Sequence, residues 1–383
     1  MRVLLSANIH WVLWHYRLGL IQALCDRGHE VLLLADPDDF GAPVAYPSGA
    51  QVFYLKNMRR GGLSILRNLL LLREYFVFLK KEKPDLAFFF TPKPNVVGGL
   101  AARMAGTPYA CTFEGWGLLG AGNRGMRVLG RSMYRAALAK ARRVFFLNAD
   151  NLSEFVNGRL CRAAQALLAP GAGIDLRRFT HTPMPPLPPF VFLFAGRLLQ
   201  SKGVAAFAEA ARRLRGKARF QILGPFDVGH PDALHPDLLS KWVEEGIVEY
   251  LGFAADVRPH LRQAHVIVLP SAYPEGSPTI LGEALATGRA IITTDMPGCR
   301  DAVDPGLNGW LLPTPTPHAL TQAMLLALRC DRVALEALSR HSRAKADYYA
   351  EDRVIGLYMA VLSGQSAAAV VSNKMNDAGA GAR

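Results

Sequence analysis

The sequence predicts an α/β protein built from two doubly wound parallel-sheet domains, and three observations carry that prediction. Short apolar runs of four to six residues alternate with helical patterns along the chain. The alternation breaks once, at Thr180–Pro189, where five of ten residues are proline. Beyond the break the same rhythm starts again. A strand covered on both faces reads as an unbroken apolar run, so such runs separated by helices imply a parallel sheet between helical layers.

In the first half the runs are Val3–Ser6, Val31–Ala35, Val52–Leu55, Leu86–Phe90, Tyr109–Phe113 and Val144–Leu147. Helical patterns lie between them: Trp14–Arg27 before Gly28, Ser64–Lys83 before Pro84, and Val96–Ala105 before Gly106. Glycine just past a helix and proline soon after are its usual stop signals. No helix or central strand tolerates the proline run, so residues 180–189 are expected to be a linker. The second half gives strands Phe190–Ala195, Phe220–Leu223, Val248–Leu251, Val266–Leu269 and Ala290–Thr294. Its helices are Gly203–Leu214, Asp256–Gln263, Pro278–Thr287 and Pro317–Leu328. The expected domains are therefore 1–179 and 190–362, with the last helix able to pack back on the first domain. The small, polar tail 363–383 is expected to be disordered. Ligands of doubly wound sheets sit at the carboxyl ends of strands, so a shared ligand would lie in a central cleft that both domains face.

Composition narrows the function classes. With 50% hydrophobic and 20% charged residues the 383-residue chain is not mostly disordered. Cys25, Cys111, Cys161, Cys299 and Cys330 form no CxxC pair, which fits a reducing, cytoplasmic compartment and no zinc site. No apolar stretch is long enough to span a bilayer: the longest, Gly62–Leu79, is interrupted by Arg67, Arg73 and Glu74. Leu, Phe and Tyr lie on most faces of helix Ser64–Leu79, which reads as core packing, with membrane contact as the alternative. Residues 1–180 hold 24 Lys and Arg against 12 Asp and Glu, so nearly all of the net charge of +13 sits there. That half should meet something anionic: nucleic acid, an acidic membrane surface or a phosphate-bearing substrate. Arg124, Arg127, Arg131 and Arg135 recur at helical spacing as one basic stripe.

The second half carries the sharper chemistry. Gly196-Arg197 ends one strand and Lys202-Gly203 opens the next helix, which sets two cations where helix N–H groups also bind phosphate. After strand Val266–Leu269 the loop places Glu275 and Gly276, then Ser277 as N-cap and Pro278 at the first helical position. The N–H groups of Ser277, Thr279 and Ile280 can cradle phosphate. Carboxylates at Glu275 and Glu283 make sense beside phosphate only if they accept hydrogen bonds from flanking hydroxyls of a ribose and a sugar.

This pattern, followed by TTDMPGCRDAV from Thr293 and GLNGWLLP from Gly306 and preceded by GAGIDLRRF from Gly171, resembles the family 4 retaining glycosyltransferases of the GT-B fold. GT-B is a pair of Rossmann-like domains. WHYR at Trp14–Arg17, FEGWG at Phe113–Gly117 and FFLNADN at Phe145–Asn151 resemble the branch that extends lipid-linked oligosaccharides and exopolysaccharides. The resemblance implies transfer of a hexose or N-acetylhexosamine from a nucleotide diphosphate sugar, with UDP expected, to a glycan or polyprenyl-diphosphate-linked sugar. It implies that Arg197 and Lys202 hold the donor diphosphate, Glu283 the ribose, and Glu275 the donor sugar. Catalysis is assigned to Arg197, Lys202 and Glu275, with no cofactor and no metal. Acceptor contacts are expected from His15, Arg17 and Glu114, and the enzyme is expected at the anionic inner face of the cell membrane, without nucleic acid.

Two motifs compete with this reading. Gly115–Gly120 matches GxGxxG, but Lys140 and Arg142 stand where a dinucleotide site needs an acid. Asp36-Pro37-Asp38 matches a metal-binding DxD yet follows a strand in a proline turn, where acids are common. A nucleotide-sugar epimerase or hydrolase of the same shape remains the alternative activity, and a noncatalytic nucleic-acid-binding protein a further one.

Overall fold

The computed structural model describes residues 1–37, 46–58, 64–116, 124–227 and 229–365. The expected tail from 366 onward, and parts of the two competing motifs, lie outside these residues. In chain order the first unit runs β1 (Arg2–Ile9), α1 (His10–Asp26), β2 (Glu30–Asp36), β3 (Ala50–Tyr54), α2 (Ile65–Glu82), β4 (Leu86–Phe90), α3 (Gly99–Ala105) and β5 (Tyr109–Phe113). It continues with α4 (Arg124–Leu138), β6 (Arg143–Phe146), α5 (Ala149–Asn157) and β7 (Ala166–Leu168). The second unit holds β8 (Val191–Ala195), α6 (Val204–Arg213), β9 (Arg219–Leu223), α7 (Pro236–Glu244), β10 (Glu249–Tyr250), α8 (Arg258–Gln263) and β11 (Val266–Leu269). Then come α9 (Thr279–Thr287), β12 (Ala290–Thr294), β13 (Gly309–Leu312), α10 (Pro317–Leu328), α11 (Arg332–Ala346) and the final α12 (Glu351–Leu362).

Both sheets are parallel and doubly wound, as the apolar runs require. The first has the order β3-β2-β1-β4-β5-β6-β7, the second β10-β9-β8-β11-β12-β13. Central strands β4, β5, β8 and β12 are buried at every residue, because helices cover both faces. Strand order reverses beside β1 and β4 in the first unit and beside β8 and β11 in the second. The crevice at such a switch point, outside the carboxyl ends, is where ligands of this architecture bind.

The chain divides at Ala172 and Gly173, and returns to the first unit at Glu351. The proline run therefore belongs to the second unit instead of standing between two units. Its anchor is Arg289, a fully buried guanidinium that bonds Thr182 Oγ1 and the carbonyls of Pro183 and Leu261. Helix α12 is held by packing: Val354, Leu357, Tyr358 and Val361 join Leu13, Leu20 and Ile21 in one core. At about 1.5 to 3 kcal/mol per buried side chain, this outweighs the marginal stability of an isolated helix of that length.

Three local expectations change. Residues 94–98 form a π-helical turn ahead of α3, so the helix expected from Val96 is split. The strand expected at Val248–Leu251 pairs only at Glu249 and Tyr250. Helix α2 buries Leu71, Tyr75 and Leu79 but leaves Ile65, Leu66, Leu69 and Leu70 exposed, so core packing accounts for only one face.

Candidate active site

Lys202 and Glu275 meet across the β8/β11 switch point. A 3₁₀ turn, Gln200–Lys202, carries Lys202, and Gly203 follows at φ +79°. A Cβ at Gly203 would stand 2.2 Å from the Pro270 carbonyl oxygen, so only glycine lets the turn press on the end of β11. Ala272 N–H donates to the Ser201 carbonyl at 2.7 Å and joins the two loops. Lys202 Nζ then lies 2.5 Å from Glu275 Oε1, with Ser271 Oγ 3.0 Å from the same oxygen. The Glu275 loop is fixed from behind. Its N–H donates to the Pro297 carbonyl, and Gly298 (φ +77°) packs so closely that a Cβ would meet the carbonyls of Glu275 and Gly276 at 2.5 Å.

Arg197 sits on the same loop as Lys202 but turns to a different acid. Its Nη1 bonds Asp227 Oδ2 at 2.7 Å, and its side chain is 47% exposed. Asp227, after β9, was missed in the sequence. Its only signal there is an acid four residues beyond the end of an expected strand. Gly196 N–H donates to the Leu223 carbonyl at 3.0 Å, which holds the start of this loop to β9.

Helix α9 begins at Thr279 with Pro278 as its N-cap, one residue later than expected, and no side chain caps it. Ser277 therefore does not cap. The N–H groups of Thr279 and Ile280 at the first turn bond to no other described residue. Glu283 lies on the second turn, separate from the Lys202–Glu275 pair, and its carboxylate accepts no hydrogen bond from a described residue. Burial raises its pKa to about 7, with Asp256 pushing the same way and Arg178 opposing. Arg178, from the GAGIDLRRF segment, and Asp256 are a second pair of neighbours that the sequence did not bring together.

In the first unit the structure joins Arg17 and Glu114 and leaves His15 out. Arg17 Nη2 bonds Glu114 Oε1 at 2.6 Å, with Arg17 only 2% exposed. Its guanidinium lies 4.5 Å from the Phe90 ring centroid and 5.9 Å from that of Tyr358 on α12. Tyr358 OH in turn lies 2.9 Å from Thr112 Oγ1, two residues before Glu114. Nε and Nη1 of Arg17 are buried without a hydrogen-bond partner. His15, two residues earlier on the helix and hence roughly 200° around it, stacks on Trp11 at 4.4 Å. The other two first-unit motifs have structural contacts: Trp116 Nε1 donates to Glu154, and Asn148 caps α5 by accepting from Asn151 N–H.

Comparison with known proteins then decides the family. Residues 13–172 match the glycosyl transferase 4-like domain and residues 189–330 the glycosyl transferases group 1 family. The chain belongs to the family 4 glycosyltransferases. Over 369 residues, covering 91% of this glycosyltransferase and 94% of the relative, it is 27% identical to the N,N'-diacetylbacillosaminyl-diphospho-undecaprenol alpha-1,3-N-acetylgalactosaminyltransferase of Campylobacter jejuni. It is 24% identical over 315 residues to the UDP-Gal:alpha-D-GlcNAc-diphosphoundecaprenol alpha-1,3-galactosyltransferase of Escherichia coli, covering 77% and 79% of the two chains. Among solved structures, Anabaena HepE in complex with UDP-glucose superposes with a TM-score of 0.75 at 17% identity, covering 95% of this chain and all of that one. The fold of the enzyme is thus GT-B, as the resemblance implied. Among the described residues no group of three or more His, Cys, Asp or Glu is placed to hold a metal ion.

Proposed function

We propose that this glycosyltransferase moves a hexose or N-acetylhexosamine from a UDP-sugar, with retention at the anomeric carbon, to a hydroxyl of a polyprenyl-diphosphate-linked sugar. The observation that carries the donor half is the Lys202–Glu275 pair at the β8/β11 switch point, beside the open N–H groups of α9. The acceptor half is supported by the undecaprenol-linked substrates named for the Campylobacter and Escherichia relatives.

In this reading Lys202 exchanges Glu275 for a diphosphate oxygen, and Arg197 swings from Asp227 to the same group. Glu275 is thereby released to accept a hydroxyl of the donor sugar. As the anomeric C–O bond breaks, negative charge grows on the diphosphate. Two cations and the N–H groups of Ser277, Thr279 and Ile280 stabilise it, which fixed donors of this kind do by several kcal/mol. A diphosphate oxygen takes the acceptor proton on the face the leaving group vacates, so no side chain acts as nucleophile and no step is assigned to a metal. Glu283 accepts the ribose hydroxyls. Glu114, held by Arg17, orients the acceptor hydroxyl, while Arg17 itself supports that carboxylate from beneath. Work on a lipid-borne acceptor places the enzyme peripherally at the inner face of the cell membrane; no described helix is long and apolar enough to cross one.

A thermal-shift screen with UDP, GDP, ADP and their sugars tests the donor. UDP and a UDP-sugar should stabilise the wild type, and Arg197→Ala and Glu283→Ala should each weaken donor use at least tenfold, about 1.4 kcal/mol. Unchanged turnover in both folded variants sinks the site. Release of free sugar or its epimer as fast without acceptor as with it would make the enzyme a hydrolase or epimerase.

A further inference from the structure

We propose that the first turns of α2 and α4 form the surface by which the enzyme seats on an anionic phospholipid membrane, next to the Glu114 end of the first sheet. The inference rests on the lipid-linked acceptor read above and adds the residues that meet the bilayer.

The first two turns of α2 are unusual for a surface. Ile65 is 79% exposed, Leu66 70%, Leu69 57% and Leu70 45%, four apolar side chains on adjacent positions of one helix. Scattered apolar residues need no explanation, but a contiguous set does. Charge identifies the partner. The exposed charged side chains of α2 are Arg67, Arg73, Lys80 and Lys81. Its two acids are turned inward: Glu74 accepts from the N–H groups of Lys56 and Asn57 at 2.7 and 3.1 Å, and Glu82 is buried against Arg2 at 3.2 Å. Helix α4 repeats the pattern with no acid at all. It exposes Val128 and Leu129 beside Arg124 and Arg127, whereas Arg131 is tied to Glu154 and Arg135 to the carbonyls of Gly158 and Arg159. The basic stripe of the sequence is thus half used inside the protein, and its free half is the half beside the apolar residues.

Topology puts the two patches together. Helices α2 and α4 share one apolar core with α3, through Leu71 and Tyr75 on one side and Tyr134 and Leu138 on the other, so they cover the same face of the sheet. Each leaves the carboxyl end of a parallel strand, so the first turns of both lie at that end, where Glu114 follows β5. Arg67 confirms the placement for α2: after burial, its nearby charge is what holds the Lys93 ammonium below its ordinary pKa, and Lys93 follows β4. Leucine and isoleucine at the centre with arginine and lysine around them suit the acyl boundary and phosphate headgroups of a bilayer. A nucleic acid would gain nothing from the leucines. A polyprenyl-linked sugar protruding from such a surface would emerge beside Glu114.

The test measures partition of the full chain onto vesicles of phosphatidylglycerol with phosphatidylethanolamine, against vesicles of phosphatidylcholine, with neither donor nor acceptor present. Wild type should favour the anionic vesicles. The double variant Leu66→Glu, Leu69→Glu should lower that partition about tenfold or more. Arg124→Glu with Arg127→Glu should erase the preference for phosphatidylglycerol, and Val333→Glu, exposed on α11, should change nothing. Stabilisation by UDP reports that each variant is folded and reads the donor site independently, so failure of one reading leaves the other standing. Equal partition of wild type on both lipids, or unchanged partition of the leucine variant, overturns the proposal. So does a wild-type dimer in ultracentrifugation that the leucine variant dissociates, since the patch would then belong to a second copy.

Discussion

Two ion pairs stand at the carboxyl ends of the two sheets, built from the same chemistry and set in opposite surroundings. Lys202 and Glu275 each keep a little solvent contact, at 16% and 13% exposure, and their neighbour Arg197 is nearly half exposed. Arg17–Glu114 presents an open carboxylate on a cation sealed beneath Phe90 and Tyr358. A pair with some solvent contact at both ends costs less to open than one whose cation is sealed, because water can in part replace the lost partner. A buried cation cannot lose its partner without a large desolvation penalty. The difference teaches that a cation–carboxylate pair in this fold is either exchangeable, and suited to trading its acid for a diphosphate, or fixed, and suited to aiming its acid.

The sharpest way to break the comparison is to remove an exchangeable cation. Lys202→Ala should cut transfer a hundred- to a thousandfold, about 2.7 to 4 kcal/mol, with only a modest loss of thermal stability. Steady-state kinetics beside thermal unfolding read both quantities. A variant that loses stability and keeps turnover would show the pair to be structural.

Next in size is the fixed pair. Glu114→Ala strands the Arg17 charge and should destabilise the protein by about 2 to 3 kcal/mol, the low end of such losses because Glu114 itself is partly exposed. Glu275→Ala should cost less, about 1 to 2 kcal/mol, since the Lys202 it strands is 16% exposed where Arg17 is 2%. Adding Arg17→Met to Glu114→Ala should recover most of the lost stability while leaving acceptor turnover low. If the two acids destabilise equally, the distinction between exchangeable and fixed pairs fails.

Legibility in the sequence follows the same divide. The parallel sheets were readable because strands buried on both faces, such as Val191–Ala195 and Val266–Leu269, are unbroken apolar runs. Lys202 and Glu275 were readable because each sits within a few residues of a strand end and a helix start, where local geometry fixes position. Arg17 was read as an acceptor contact, and its burial was not legible, because one of the two rings that cover it belongs to Tyr358 on a helix that returns after the whole second unit. Asp227 was missed for a related reason: it meets Arg197 only because β8 and β9 are neighbours in the sheet. The exposure of Ile65 and Leu66 could not be read either. A helix with apolar residues on most faces looks the same in sequence whether protein or lipid covers the second face. Strand β13 was passed over because it begins on the last glycine of the Gly306-Leu-Asn-Gly309 stretch and two of its side chains are only partly buried.

Glu283 offers the smallest and most diagnostic effect, because it is an acid with neither kind of partner. Its folded pKa, up to about 7, lies above that of an unfolded glutamate, near 4.3. Between those values the folded protein binds the extra proton, so the stabilising contribution is complete below about pH 4.3 and is lost as pH rises through about 7. Donor binding should run the other way, since ribose hydroxyls donate to the carboxylate and not to the protonated acid. Affinity for UDP should therefore rise with pH by at most about tenfold per unit and level off above roughly pH 7. Glu283→Gln should bind UDP at every pH about as weakly as the wild type does at low pH, and show neither slope. Calorimetric titration of UDP across this range, with unfolding followed in parallel, separates the outcomes. A wild-type affinity flat with pH beside a sloping stability would mean that Glu283 titrates as described but does not touch the nucleotide.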